Sequence, residues 1–181
     1  MSLPKVPAAN PKYFNILTPY DQAMYYTLHQ SVWTRQLQNN WNQRGEVFAD
    51  ILKLIRMYCV RGDADDWKRS LVCGVCWTMN GLGINIRQLK ELVNRCKSSI
   101  NGSLQRLGLD SVMDRTGGRA VIARAMPLLE TNLADLKEWS VRKYVKLTDS
   151  TKHKKVPVME IEPHLPEQLF LPEFVTENIT V

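Results

Sequence analysis

The sequence predicts a mainly α-helical fold that contains one short β-hairpin, and three observations carry this prediction. Apolar residues recur every three or four positions over much of residues 18–139, which is the spacing of one helix face. Within residues 84–109, two such patterns follow each other with only a short polar break between them. A Gly-Gly pair at 117–118 then separates two short apolar runs, a pattern typical of a hairpin turn.

Three helices are predicted before this central stretch. The first begins at residues 18–19, where a threonine can cap the helix and a proline occupies its first turn. The second covers residues 43–57 and carries basic residues on its solvent side. The third begins at Asp65, where two consecutive carboxylates face the positive end of the helix dipole. Its apolar residues continue to Met79, so we expect a buried helix that ends at Asn80-Gly81.

Cys73 and Cys76 form a CxxC pair inside the third predicted helix. A structural zinc site needs two more ligands at suitable spacing, and no second CxxC or HxxxH pair follows. A thioredoxin-like site needs a preceding strand in a βαβ unit, which the pattern around this pair does not indicate. Cysteine is also a common core residue. We therefore expect both thiols to pack in the core, and no metal or cofactor is predicted.

Residues 81–84 are predicted as a short strand, and two short helices follow it. In the first helix Asn85 is suited to the N-cap, because its side-chain oxygen can accept from a backbone N–H of the first turn. The apolar stripe of this helix is Ile86, Leu89, Val93 and Cys96. The apolar stripe of the second helix is Ile100, Leu104 and Leu107, and Gly108 follows where a C-terminal capping glycine is expected.

The second of these helices has an unusual outward face. At about 100° per residue, the residues that point away from its apolar stripe are Ser98, Asn101, Gly102, Gln105 and Arg106. Hydroxyls, amides and a guanidinium are the groups that hydrogen-bond base edges, and a glycine lets a helix backbone approach another surface closely. The alternative is an ordinary polar surface. The composition favours the recognition helix of a helix–turn–helix motif over that alternative.

Residues 109–122 are predicted to form a β-hairpin whose Gly-Gly turn lies between Arg115 and Arg119. Helix, strand, helix, recognition helix and hairpin is the element order of a winged helix, in which the hairpin is the wing. A wing would set Arg115 and Arg119 against the DNA backbone or the minor groove. The alternative makes the chain helical from Arg119 onward and leaves an irregular loop before it. In both cases we expect the two arginines to be exposed and close to the recognition helix.

A last helix is predicted from Ala123 to Trp139, and Pro127 is expected to kink it or to split it into two pieces. A basic run follows over residues 142–155, either as a phosphate-binding or nuclear-localisation segment or as a solvated linker. The chain is accordingly divided into three parts. These are a flexible N-terminal arm (residues 1–14), a winged-helix domain with extra N- and C-terminal helices (15–145), and a basic linker with an acidic, proline-containing tail (146–181).

Charge is distributed unevenly along the chain. The last 26 residues contain five glutamates and no lysine or arginine, so they contribute −5 to the net charge of +6 and leave +11 on residues 1–155. A body this basic is suited to a polyanion, most often nucleic acid. No apolar run approaches the ~20 residues of a membrane span, so no membrane association is expected. The three histidines lie in no recognisable catalytic arrangement with a nucleophile or a carboxylate pair, and an enzyme is not expected.

Three segments of the sequence resemble the initiator-binding domain family: DDWKRSLVCGVCW (65–77), INIRQL (84–89) and CKSSINGSLQRLG (96–108). The resemblance implies a winged-helix-like fold, double-stranded promoter DNA as the ligand, and recognition of the initiator element of core promoters. It further implies a nuclear protein that acts in transcription by RNA polymerase II. Proteins of the transcription machinery are candidate partners.

The predicted DNA-binding residues belong to the recognition helix and its flanks. Helix 98–107 is expected to lie in the major groove, where Asn101, Gln105 and Arg106 contact bases and Gly102 permits close approach. The residues expected to contact the DNA backbone are Arg87, Lys97, Ser98, Ser99, Arg115 and Arg119. A second hypothesis makes the winged helix a protein-interaction module without base-specific DNA binding, which the acidic, proline-bearing tail favours.

Overall fold

Eight α-helices and a three-stranded antiparallel sheet make up residues 10–38 and 44–144, the part of the chain that this computed structural model describes. In chain order the elements are α1 (Pro19–Gln38), α2 (Arg44–Cys59), α3 (Asp66–Cys73), β1 (Val75–Thr78), β2 (Gly81–Asn85), α4 (Ile86–Val93), α5 (Lys97–Arg106), α6 (Arg115–Ala125), α7 (Pro127–Glu130), α8 (Leu133–Leu136) and β3 (Trp139–Arg142). The prediction of a mainly helical fold with a small β-structure is confirmed. Within the described ranges no helix is both long enough and apolar enough to cross a membrane.

Side-chain caps start four of these helices, and the cap of α8 is Asn132, whose side-chain oxygen accepts from the Asp135 N–H at 3.2 Å. The Thr18 hydroxyl accepts from a first-turn N–H of α1 at 3.1 Å. The side-chain oxygen of Asn85 accepts from two first-turn N–H groups of α4 at 3.1 and 3.3 Å. Both of these starts were predicted from the sequence. Asp114 caps α6 in the same way, at 2.7 Å. Each such cap stabilises its helix by about 1 kcal/mol, so the boundaries of these elements are encoded locally.

The sheet has the order β1–β2–β3, and both neighbouring pairs are antiparallel. β1 and β2 form a hairpin, whereas β3 comes from the opposite end of the domain. On the outer side of β3, the backbone N–H of Met113 donates to the Val141 oxygen at 2.8 Å. The N–H of Lys143 donates to the Ser111 oxygen at 2.7 Å. Residues 111–113 therefore add a short bridge at the edge of β3.

The sheet separates two apolar cores. The larger core joins α1, α2, α4 and α5 to one face of the sheet, and its fully buried residues include Phe48, Ile51, Ile84, Leu89, Ile100 and Leu104. The smaller core joins the other face to α6, α7 and α8, and it includes Cys76, Ile122, Met126, Leu129 and Val141. At Gly83 in the central strand, an added Cβ would lie 2.4 Å from the Ile122 side chain. α6 therefore packs directly on the backbone of β2.

A buried arginine ties the first three helices together. Arg69 of α3 is only 1% exposed, and its guanidinium donates to the carboxylates of Asp21, Asp63 and Asp66. Its Nε also donates to the Cys59 carbonyl oxygen at the end of α2, at 3.3 Å. Breaking such a buried cluster typically costs about 3–5 kcal/mol, because a charge is left unpaired. The cluster fixes α3, and the strand that follows it, against α1 and α2.

The N-terminal segment is folded against the domain from residue 10 onward. The Tyr13 hydroxyl and the Lys12 ammonium group both donate to the buried carboxylate of Asp135 in α8. Burial and the hydrogen bond to Asp135 raise the pKa of Tyr13 to about 12. Phe14 is buried in the larger core. The end of the predicted arm is thus attached to the domain, and residues 1–9 of that arm lie outside the described residues.

The predicted third helix is wrong in its second half. α3 ends at Cys73 because Gly74 adopts a left-handed conformation (φ 73°), and β1 follows. Asn80 lies in the connection between β1 and β2 and Gly81 is the first residue of β2, so this pair does not stop a helix. Met79, predicted as buried, is 95% exposed in that connection. The strand predicted at 81–84 is confirmed as β2, and both cysteines of the CxxC pair are buried, as predicted.

The β-hairpin predicted over residues 109–122 is also wrong. Residues 115–125 form α6, so the Gly-Gly pair lies inside a helix. Gly118 faces β3, and an added Cβ there would lie 3.7 Å from the Val141 side chain. The alternative prediction, a helix from Arg119 onward, is closer to the structure, although the helix already begins at Arg115. Only residues 111–113 pair in a sheet, and their partner is β3.

Pro127 splits the last predicted helix, which was one of the two expectations for it. α6 ends at Ala125, and Pro127 is the first residue of α7. Trp139 was predicted as the end of this helix and instead begins β3, where buried and half-buried side chains alternate. The predicted basic run 142–155 begins in this strand. Its part after residue 144 and the acidic tail lie outside the described residues.

Candidate nucleic-acid interface

The helix pair α4 and α5 is built on the larger core. Leu89 and Val93 of α4 and Ile100 and Leu104 of α5 are fully buried there. Three residues connect the two helices, and the first of them, Asn94, is left-handed (φ 46°). The inward stripes predicted for both helices are confirmed, except that Cys96 lies in the connection and is exposed. The opposite side of α5 is therefore directed away from the core.

The connection between α4 and α5 is anchored to the first two helices. The Gln36 side-chain amide in α1 donates to the Val93 carbonyl oxygen. The Arg95 Nε donates back to Gln36 Oε1 at 3.4 Å, and the Arg95 guanidinium lies 5.8 Å from the ring centre of Phe48 in α2. These contacts fix where α5 begins. The position of α5 is thus determined in part by side chains of α1 and α2.

The outward side of α5 is accessible along its length. We call Ser98, Asn101, Gly102, Gln105 and Arg106 the polar face. Ser98, Gln105 and Arg106 are exposed, and Asn101 and Gly102 are half-buried. An added Cβ at Gly102 would lie 3.7 Å from Arg106 Nη2, so the arginine side chain extends back over the bare helix surface. Donors and acceptors on this face can therefore reach a large ligand without movement of the backbone.

Among the contacts within residues 10–38 and 44–144, Asn101 is the member of the polar face whose side chain has a hydrogen bond to another element. Its side-chain oxygen accepts from Arg142 Nη2 at 3.0 Å, and Arg142 lies at the end of β3. Arg142 Nη1 also donates to the Asp110 carbonyl oxygen at 3.4 Å. The end of β3 and the start of the 110–113 segment thus border the polar face.

The N-terminus of α5 is basic and open. Lys97 and Ser98 are exposed and Ser99 is half-buried, and no side chain caps the first turn. The Cys96 thiol lies 3.2 Å from the Ser98 hydroxyl. This hydrogen bond, together with backbone N–H groups of the first turn, lowers the pKa of the Cys96 thiol. Because an exposed lysine lies beside the backbone N–H groups of a helix start, the N-terminus of α5 is suited to an anion.

Arg87 lies at the second position of α4, and its side chain is 77% exposed. Its guanidinium forms an ion pair with Glu138 at 3.4 Å. An exposed pair of this kind contributes at most about 1 kcal/mol, so Glu138 orients the arginine without fixing it. A contact of Arg87 with a phosphate stays a prediction, and one carboxylate competes for the guanidinium.

Arg115 and Arg119 are placed differently from the prediction. Both lie on α6, where Arg115 is exposed and Arg119 half-buried. With Lys137 and Glu138 they line a cavity of about 430 Å³ between α6 and β3, and no residue of α5 contributes to that cavity. α6 packs on the smaller core and α5 on the larger one. That these arginines lie close to the recognition helix therefore stays a prediction.

Arg142 is the residue of this region whose position the sequence did not reveal. It stood in the predicted basic run, where a solvated linker was an equal alternative. The alternation of Trp139, Ser140, Val141 and Arg142 between buried and half-buried positions is a strand pattern that was available in the sequence. Its bond to Asn101, in contrast, depends on pairing between distant parts of the chain and leaves no local signal.

Comparison with known proteins identifies the class of this chain. A family model described as the transcription-initiator DNA-binding domain, IBD, matches residues 19–146. The match spans most of the chain, which therefore belongs to the IBD family, as the sequence resemblance suggested. This is a family of DNA-binding domains and not of enzymes. Comparisons with curated proteins and with solved structures gave no match.

Proposed function

We propose that this chain binds double-stranded promoter DNA in a sequence-specific manner and recognises an initiator-type core-promoter element in transcription by RNA polymerase II. Membership of a transcription-initiator DNA-binding family supports this function. The single structural observation that supports it most is the polar face of α5, which carries amides, a hydroxyl and a guanidinium and is accessible to solvent. A nuclear location follows from such a role.

In the proposed complex α5 lies in the major groove as the recognition helix of a helix–turn–helix unit formed with α4. A helix with its side chains is about 10–12 Å across, and the major groove is about 12 Å wide, so one helix fills it. Gln105 and Arg106 contact base edges, and Asn101 lies beside them. Gly102 lets the helix backbone approach the floor of the groove, because no side chain stands between them.

Phosphate contacts on both sides of the groove would orient α5. Lys97, Ser98 and Ser99 at its N-terminus present an ammonium group, hydroxyls and free backbone N–H groups to one strand. Arg87 at the N-terminus of α4 binds the flanking DNA backbone, and its ion pair with Glu138 is broken. These contacts add affinity for every DNA sequence and carry no base preference.

The relation to a winged helix is part of the proposal. Segment 111–113 and β3 correspond to the two strands of a wing, and α6, α7 and α8 occupy the connection between them. In this arrangement Arg115 and Arg119 contact DNA only where the duplex extends past the sheet toward α6. Their contribution is therefore expected to be smaller than that of Lys97.

A protein-interaction role has one observation in its favour. Several large apolar side chains at the start of α1 and the end of α2 are exposed: Tyr20, Met24, Met57 and Val60. Arg61 lies 5.6 Å from the ring centre of Tyr20, so these two ends are adjacent. Apolar residues grouped on a surface often mark a protein contact, and this surface is a candidate for a partner from the transcription machinery.

Selection of bound duplexes from a random pool tests the proposed function. The full chain is expected to enrich one short motif, and Gln105→Ala is expected to weaken the preference at one position of that motif. Gln30→Ala on the exposed side of α1 is the matched control and should leave the motif unchanged. Equal binding of random and selected duplexes by the full chain would favour the interaction module instead.

A further inference from the structure

Arg142 lies at the junction between the sheet and the polar face. Its backbone position is fixed on both sides, because it lies opposite Leu82 of β2 and is bridged to Val112 on the outer edge. Its guanidinium donates to Asn101 at 3.0 Å and to the Asp110 carbonyl oxygen at 3.4 Å. Its Nε is buried, and no acceptor in residues 10–38 or 44–144 contacts it. The guanidinium is therefore held between Asn101 and the Asp110 carbonyl oxygen.

The identity of its partner fixes the orientation of the Asn101 amide. A guanidinium carries five donors and no acceptor, so the Asn101 atom that faces Arg142 must be the oxygen. The amide nitrogen of Asn101, with its two N–H donors, is then directed away from Arg142. An asparagine that is free to rotate presents one donor and one acceptor side by side, whereas Asn101 held in this way has its oxygen turned toward Arg142, with one of the two lone pairs occupied, and presents its N–H donors first.

This difference decides which bases Asn101 can contact. A bidentate contact with adenine needs both a donor and an acceptor, because the adenine edge offers N7 and the N6 amino group. An amide that presents only N–H groups pairs with acceptors, which are N7 and O6 of guanine, N7 of adenine and O4 of thymine. Cytosine presents an amino donor in the major groove, and two facing donors repel.

We infer that Arg142 is a positioning residue that sets the base preference of the polar face by holding the Asn101 side-chain oxygen. Free Asn101 would favour adenine, and Asn101 bound to Arg142 favours any base with an acceptor at that position and disfavours cytosine. The inference rests on the proposed function of α5. It assigns to β3, which touches no base, a role in specificity.

Competition binding with duplexes that vary the selected site one base pair at a time tests this inference. The position contacted by Asn101 is the one at which Asn101→Ala makes the four bases equivalent. Arg142→Met keeps the length of the side chain but has no donor, so it is expected to shift the preference at that position toward adenine. The expected change is on the order of tenfold, the discrimination of one direct base contact.

Two further variants separate this role from a structural one. Asn101→Asp keeps an acceptor for Arg142 and replaces the N–H donors with an acceptor, so it should reverse the preference at that position toward cytosine while the unfolding temperature stays close to that of the wild type. Lys143→Met removes a neighbouring exposed cation and should weaken all duplexes alike. The measured quantity is the ratio of affinities for duplexes that differ at one base pair. A uniform loss of affinity leaves this ratio unchanged and is therefore not mistaken for a change in base preference.

The outcomes distinguish the inference from the function on which it rests. If Arg142→Met leaves the ranking of bases unchanged while the wild type binds with a clear motif, the inference is overturned and the proposed function stands. If Arg142→Met is too unstable to measure, Arg142→Gln replaces it, because a glutamine amide can donate or accept and so does not dictate which Asn101 atom faces it; an unchanged ranking of bases in that variant overturns the inference equally well. If the wild type shows no base ranking at any position, both fail.

Discussion

Single side chains determine whether α5 can contact bases or only phosphates. Gln105 and Arg106 are exposed and Asn101 is not free, since it already binds Arg142. The polar face therefore has two residues that can rearrange around a base edge and one that is held. Predictions at this scale separate loss of base preference from loss of general affinity.

Arg106→Ala is expected to reduce binding to the selected duplex by about 1–3 kcal/mol more than binding to random duplex, if the guanidinium contacts a guanine. Arg124→Ala removes an exposed arginine from the last turn of α6 and serves as the charge-matched control. Fluorescence titrations with both duplexes at one salt concentration measure the difference. Equal losses on the two duplexes would place Arg106 on the DNA backbone and not on a base.

Cys96 is expected to react with iodoacetamide faster at neutral pH than the three other cysteines. The hydrogen bond with Ser98 lowers its pKa, and the thiol is exposed. Cys59, Cys73 and Cys76 are buried, and burial raises the pKa of Cys76 to about 12. Mass spectrometry should find a single early modification that Cys96→Ser removes.

A bound duplex should slow this modification, because the start of α5 would lie against a phosphate strand. The unreactive background of the three buried thiols makes the change in rate at Cys96 easy to follow. An unchanged rate in the presence of saturating DNA would show that the N-terminus of α5 stays open, which contradicts the proposed docking.

Elements with local signals were predictable from the sequence, and elements that depend on distant partners were not. Asn85 and Thr18 marked two helix starts because a cap acts within one turn. β1 resembled a continuation of α3, since a short apolar run is compatible with a buried helix or a buried strand. β3 and its bond to α5 through Arg142 join residues that are far apart in the chain, so neither the strand pairing nor the Asn101 contact had a local signature.

Gly74 is the point at which α3 gives way to β1, and its replacement tests that boundary. Gly74 and Gly62 both have a positive φ, 73° and 80°, which costs a residue with a side chain about 1–2 kcal/mol. An added Cβ at Gly74 would also lie 2.9 Å from the backbone carbonyl oxygen of Asn85, whereas an added Cβ at Gly62 would meet nothing within 4 Å. Gly74→Ala should therefore lower the free energy of unfolding clearly more than Gly62→Ala.

Urea denaturation of both variants measures this difference. Because Asn85 caps α4, the displacement caused by Gly74→Ala is also expected to weaken DNA binding, while Gly62→Ala should not. Similar losses of stability in the two variants would mean that backbone strain alone accounts for the cost of replacing Gly74, and that its close approach to Asn85 is unimportant.

At the scale of the whole molecule, a buried carboxylate, that of Asp135, helps to attach the N-terminal segment. Burial raises the pKa of Asp135, but the hydrogen bonds from Lys12 and Tyr13 outweigh it and lower the pKa below the ordinary value. A lowered pKa in the folded state means that the contribution to stability is present above the unfolded pKa of about 3.9. It is lost as the pH falls through the folded pKa.

The free energy of unfolding is therefore expected to decrease as the pH falls below about 4, and Asp135→Asn should flatten that decrease. Tyr13 affects stability at high pH, because its pKa of about 12 in the folded state lies above the unfolded value of about 10. Its contribution is lost as the pH rises through the folded value. Asp110→Asn, at an exposed carboxylate, is the control. If the free energy of unfolding of Asp135→Asn decreased below about pH 4 as steeply as that of the wild type, the stabilising role given to Asp135 would be contradicted.

Titration of the isotopically labelled full chain with the selected duplex, followed by backbone amide NMR, tests the central claim most directly. If α5 is the DNA-binding helix, the largest shift changes should fall on Lys97–Arg106 and extend to Arg142, which is hydrogen-bonded to that helix. Changes concentrated instead at Tyr20, Met24, Met57 and Val60, with Lys97–Arg106 unaffected, would contradict it.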